Sequence, residues 1–154
     1  MINKINTSFI LSIIFLFISF SAKADDQFNF NITEIEILEN GNKIIGSKRG
    51  EIISNDGIII NADSFVYNKI ENNLVVKGNV IFLDEKNDYK ISSEEISYNK
   101  KDEIIYTKGN TASEIYSKYN IDSKDVIFLK NEKILNSDYE TTIINNDNQT
   151  LYKL

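Results

Sequence analysis

Carboxylates hold most of the reactive potential in this 154-residue sequence, with 23 Asp and Glu against no His and no Cys. The absences exclude more than the acids offer. Without Cys there is no thiol nucleophile, no thiolate metal site, no disulfide and no lipid-bearing cysteine. Without His there is no Ser-His-Asp triad, no imidazole ligand and no use of the commonest general base. Adjacent acids occur at Asp25-Asp26 and Glu94-Glu95. Neighbours on a strand point to opposite faces, so neither pair suits an acid and base flanking one bond. Asp63, Asp84 and Asp88 lack EF-hand spacing, and solvated strand faces account for them. "NDGI" (55–58) is a turn, because no Gly-rich run leads from it into a helix. Asn148-Gln149-Thr150 fits a glycosylation sequon, which matters only in a host that glycosylates. The chain reads as a non-enzyme, with no cofactor and no metal expected.

The elements that position these residues begin after a leader. Residues 1–24 have the form of a secretory signal: Lys4, the apolar run "FILSIIFLFISF" (9–20), then Ala22-Lys23-Ala24 as a small-x-small cleavage site. That run is short for a membrane span, which needs roughly 20 apolar residues. Cleavage after Ala24 is expected, leaving one domain over 25–154. An uncleaved anchor is the competing outcome. The leader carries two lysines and no acid, so its removal takes the net charge from −6 to −8. Such a surface argues against nucleic acid, whose phosphates demand basic partners.

From Gln27 onward the apolar runs are short and alternating, with turn signals at 39–42, 54–57 and 71–73. No window sustains a helical period, and the chain is predicted to be all-β. In "FNFNITEIEI" (28–37) the alternation changes phase near Thr33, the mark of a bulge or corner.

A repeat of about 31 residues organises the rest. "IINADSFVYNKIENNLVVKGNV" (59–80) aligns with "KISSEEISYNKKDEIIYTKGNT" (90–111), matching Tyr67 with Tyr98, Lys69 with Lys100 and Gly78 with Gly109. A fainter copy, 120–139, matches Ile121, Phe128, Lys130 and Leu135, and has Tyr139 at the glycine position. Each copy opens on an isoleucine and a small residue, changes phase, and continues with an apolar-x-aromatic pair: Phe65/Tyr67, Ile96/Tyr98, Val126/Phe128. A recurrent phase change predicts a designed bend. Gly78 and Gly109 then mark bends in the return strands, or places where another backbone passes closely. A curved stack of antiparallel hairpins follows. Its shared apolar face suits either a dry sandwich core or a partly open groove for an elongated apolar ligand, and periodicity does not separate the two.

The stretch "GIIINADSFVYNKIENNLVVKGNVIF" (57–82) resembles the core repeat of the OstA-like domains, on Ala62-Asp63, Tyr67 and Gly78-Asn79-Val80 with their spacing. "NGNKIIGSKRGEI" (40–52) is similar to the region leading into that repeat in LptD-type chains. These domains are lipopolysaccharide-transport modules, of the LptA type or the N-terminal domain of LptD. The resemblance covers about residues 28–145. It implies a V-shaped β-jellyroll in the periplasm, whose apolar interior holds lipid A acyl chains, with association to the outer membrane also implied. It implies head-to-tail partners joined by edge strands, near Phe28–Ile37 and Tyr139–Ile144, and no catalytic residues. The groove residues expected are Phe65, Tyr67, Val76, Val80, Phe82, Ile96 and Tyr98, with Lys69 facing solvent. The chain lacks the length for an LptD barrel and the cysteines many LptD proteins carry. A non-enzymatic β-scaffold, or adhesin-like protein-binding module, is the alternative. A dry, closed interior would favour it, and a continuous groove open at one end would favour the carrier.

Overall fold

A computed structural model of the chain describes residues 27–154. The expected leader, its cleavage site, Asp25 and Asp26 lie outside the described residues. The strands fall into four successive units. The first has β1 (Phe28–Asn31) and β2 (Ile35–Leu38) going out, a 3₁₀ turn at Glu39–Gly41, and β3 (Lys43–Gly46) and β4 (Gly50–Ser54) returning. The second has β5 (Ile59–Ala62) and β6 (Ser64–Asn68) out and β7 (Asn73–Asp84) back. The third is β8 (Tyr89–Asn99) and β9 (Ile104–Ile115). The fourth is β10 (Tyr119–Lys124) and β11 (Ile127–Leu129) out, then β12 (Ile134–Asn136) and β13 (Thr142–Asn145) back. A closing strand, β14 (Thr150–Lys153), pairs with β13.

All described strand pairs are antiparallel and belong to one sheet, which is folded over without closing into a barrel. Across the first layer the order is β1-β4-β5-β7-β8-β9-β10-β13-β14. A second layer branches from the same long strands. The first half of β7 pairs with β6 and its second half with β5, while β9 divides likewise between β11 and β10. Each long strand therefore serves both layers, and it must bend between them.

The bend is made as the phase changes foretell. The β7–β8 register shifts between Lys77 and Val80, and the β8–β9 register between Ser93 and Glu95. An extra residue in one strand inverts its alternation. Buried positions run Tyr89, Ile91, Ser93 and then Ile96, Tyr98, so both halves turn their apolar side chains inward. The same skip occurs from Ala62 to Phe65. Expected on opposite faces, Glu94 and Glu95 both stay out of the core, because one of the two is the extra residue between the inward-facing Ser93 and Ile96. Glu95 pairs with Lys77 at 3.1 Å.

Opposite the skips, Gly78 and Gly109 have φ of +78° and +84°, the left-handed region that side chains rarely adopt. A Cβ on Gly78 would fall 2.5 Å from Asp63 Oδ2, and one on Gly109 would fall 2.6 Å from Glu94 Cδ. The Asp63 amide donates to the carbonyls of both Lys77 and Gly78, at 3.0 Å each. The glycines thus combine both expected roles, as bends and as sites of close approach. With them, β7 and β9 run unbroken for 12 residues each. In the outer units Lys48 and Tyr139 occupy the corresponding place, and there the return strand breaks in two, as β3/β4 and β12/β13.

The unit before the first recognised repeat is itself a copy. Phe30, Ile60, Ile91 and Ile121 are equivalent, as are Ile44, Leu74 and Ile105, and all but the half-buried Phe30 are buried. The terminal edges differ in part from expectation. β1 and β2 are edges, but β13 is flanked by β10 and β14, so the C-terminal edges are β14 and β12. Strand β14 completes the sheet where the sequence repeat ends.

Gly78→Val should cost about 1–3 kcal/mol despite valine's better strand propensity, through the left-handed backbone and the contact with Asp63. Urea denaturation would show the midpoint falling. An unchanged midpoint would mean that the bend tolerates a side chain.

Candidate functional site

The two layers face each other across an apolar interior that runs through all four units as one cluster, from Phe28 to Phe128. The seven residues expected to line a groove, Phe65, Tyr67, Val76, Val80, Phe82, Ile96 and Tyr98, all lie in this cluster and are at most 3% exposed. Residues of the β6/β8 arms meet residues of β1 and β7 ring to ring. Phe30 stacks on Phe65 at 4.9 Å, Phe28 meets Tyr67 edge-on at 4.9 Å, and Phe82 meets Tyr98 edge-on at 5.3 Å. Tyr89 and Phe128 repeat the edge-on contact at 5.0 Å. Such pairs add about 0.5–1.5 kcal/mol each beyond area burial. The middle of the interior is filled. At its two ends, Phe30 and Ile32 on one side and Leu135 and Ile143 on the other are only partly buried.

Near the third bend the interior turns polar. Ser93 Oγ donates to the Lys108 carbonyl at 3.0 Å, and Thr107 Oγ1 and Thr111 Oγ1 lie 2.7 Å apart. Thr107 also accepts from the Val126 amide at 2.8 Å. These hydroxyls satisfy one another and the backbone, as burial requires.

The rim opposite the bends is charged. Here turns of the first layer, around 54–58 and 84–88, meet turns of the second, around 99–103 and 129–133. Lys130 Nζ lies 3.0 Å from Asp84 Oδ2 and 2.5 Å from Glu103 Oε2, and the Lys130 and Asp84 side chains are 6% and 4% exposed. Lys100 pairs with Asp56 and lies 3.5 Å from Glu103 Oε1. The Tyr98 hydroxyl donates to Glu103 Oε1 at 2.8 Å, and Lys130 sits over the Tyr98 ring at 5.4 Å. Burial, and then the Glu103 carboxylate, push the Tyr98 phenol well above its ordinary range, so it stays protonated and donates. Burial raises the Asp56 carboxyl, but hydrogen bonds from Lys100 and Ser54 outweigh it and hold the group below the usual carboxylate range.

Asp84, expected on a solvated face, is buried, and so is Lys130. Asp84 continues the buried series Val80, Phe82, and Lys130 continues Val126, Phe128. Their parity was the available signal. Lys100 and Lys130 also hold equivalent places in the repeat. Lys69, the third equivalent, is half-buried rather than facing solvent, whereas Lys77 is exposed. Asp63, Asp84 and Asp88 are held separately. Asp63 accepts from Arg49 at 2.8 Å and Asn79 at 2.7 Å, Asp84 pairs with Lys130, and Asp88 accepts from Ser117 at 2.9 Å. Among the described residues no group of three or more Asp or Glu is arranged to hold a metal.

No protein-family model matches the sequence, and no curated protein sequence matches it significantly. The fold is similar to that of LptH, the LptA-homologous periplasmic component of the conserved lipopolysaccharide transport device of Pseudomonas aeruginosa. The TM-score is 0.63 at 6% identity, over 82% of this chain and 93% of that chain. The chain therefore shares the fold of that protein, an antiparallel β-jellyroll not closed into a barrel.

Lys130→Ala would leave the Asp84 carboxylate buried with no cation beside it, and a loss of about 3–5 kcal/mol is expected. Lys130→Met with Asp84→Leu should recover much of it, as read from urea unfolding of the three proteins. Because the Asp56 carboxyl is held low in the fold, its contribution is full above the unfolded value of about 4 and fades as pH falls through its folded value. Asp56→Asn should flatten that acid limb of the melting curve.

Proposed function

We propose that this chain is a periplasmic module that binds lipopolysaccharide and relays it towards the outer membrane without chemistry of its own. It would act as an LptA-type bridge protein or as the N-terminal module of an LptD-type translocon. The observation that carries this reading is the single apolar cluster that reaches through all four units, within a fold like that of LptH. With the acidic balance of the chain, affinity must come from buried hydrocarbon at about 0.8 kcal/mol per CH₂, leaving sugars in water. Among the described residues no catalytic constellation competes with it. The free edges β1, β2, β12 and β14 offer unpaired backbone to neighbouring modules, and strand addition is the expected mode of assembly. Ile37 on β2 and Leu151 on β14 are 64% and 54% exposed, apolar side chains that such a junction would cover.

The filled interior favours a second reading, a non-enzymatic β-scaffold or adhesin-like protein-binding module. Photo-crosslinking separates the two. Crosslinkers at Phe65, Val80 and Tyr98 should capture lipopolysaccharide in cells that make it, and one at Lys77 should not. Equal capture at all four positions, or none anywhere, would leave the scaffold. Export is tested separately: cleavage after Ala24 gives a periplasmic form whose N-terminal sequence begins at Asp25. Full-length protein in the inner membrane would instead show an anchor.

A further inference from the structure

We infer that the charged rim is a lateral door for acyl chains, held shut by the Lys100–Asp56 and Lys130–Asp84 pairs. This rests on the carrier reading. Val76, Phe82 and Tyr98 leave no room for a hydrocarbon chain while the layers are together, so cargo must part them. The layers meet along two seams of unequal strength. At the bends, β7, β8 and β9 pass covalently from one layer to the other, and their ladders continue on both sides of the register shifts. Parting the layers there would break the sheet.

At the rim, only side chains join them. Among the described residues no backbone hydrogen bond crosses from the 54–58 and 84–88 turns to the 99–103 and 129–133 turns. What crosses is the chain of charges Asp56, Lys100, Glu103, Lys130 and Asp84, placed directly outside Tyr98. Each member is a group that water solvates well once exposed. Opening therefore exchanges protein partners for solvent and leaves the strand ladders intact, a motion about the line of bends. An end-on route, past Phe30 and Ile32 or past Leu135 and Ile143, is the competing path.

The absence of cysteine makes the door testable. Asp56→Cys with Lys100→Cys places one thiol on each lip, to be joined by a flexible bismaleimide. Mass spectrometry confirms the link and melting confirms the fold. Hexa-acyl lipid A in detergent is the probe, and native mass spectrometry counts the bound lipid. The unlinked protein should bind, and linking should lower binding at least tenfold. A linked, folded protein that binds as well as the unlinked one overturns the door and leaves the carrier reading standing, with end-on loading. If no form takes up lipid A, wild type included, the carrier reading fails. A readout without lipid completes the test: nitroxides at the exposed Asn55 and Lys101 report the lip separation, which Lys100→Glu should widen. An unchanged distance distribution would show that the pairs do not hold the lips together.

Discussion

One inserted residue per outgoing strand sets the architecture. A strand that kept strict alternation could line only one face of one layer. The extra residue at the skips from Ala62 to Phe65 and from Ser93 to Ile96 inverts the alternation as the chain turns, so both arms look into the same space. The returning strand must follow that corner. Glycine in the left-handed region lets it do so without losing its ladder, with the acidic residue of the outgoing strand filling the room a side chain would need. The common interior and the position of the rim follow from this geometry.

The composition of the rim follows a different logic from that of the core. Leucines at the strand ends would seal the layers at lower cost, since desolvating an ion pair offsets most of its attraction. Asp84 and Lys130 instead occupy positions whose parity belongs to the core. Water competes for charges far better than for hydrocarbon. A seam of charges is therefore one that solvent can help undo, and the aromatic contacts behind it are not. Hydroxyls at Ser93, Thr107 and Thr111 soften the interior near the third bend in a similar way, with each polar group bonded to another.

Much of this was legible in the sequence. The phase changes at 62–65 and 93–96, the paired glycines and the aromatic spacing gave the hairpin stack and named the seven interior residues. The N-terminal unit went unrecognised as a copy, although its phase change near Thr33 was seen. Lys48 replaces the glycine there, and the return strand is split around it. The rim was missed for another reason. Composition says that charged residues are exposed, and only their place in the alternation says otherwise for Asp84 and Lys130. Edge positions were harder still, because strand order depends on β14, which follows the last recognisable copy.

The pairing pattern has a consequence for how the chain acquires its structure. Each unit bonds to the one before it and the one after it, with short turns between outgoing and returning strands, so no closure spans the whole sequence. Loop-closure entropy is met in small instalments, and ordering can advance from the N-terminus one hairpin at a time. A chain delivered end first into a compartment can therefore complete β1–β4 before the residues of the fourth unit have arrived.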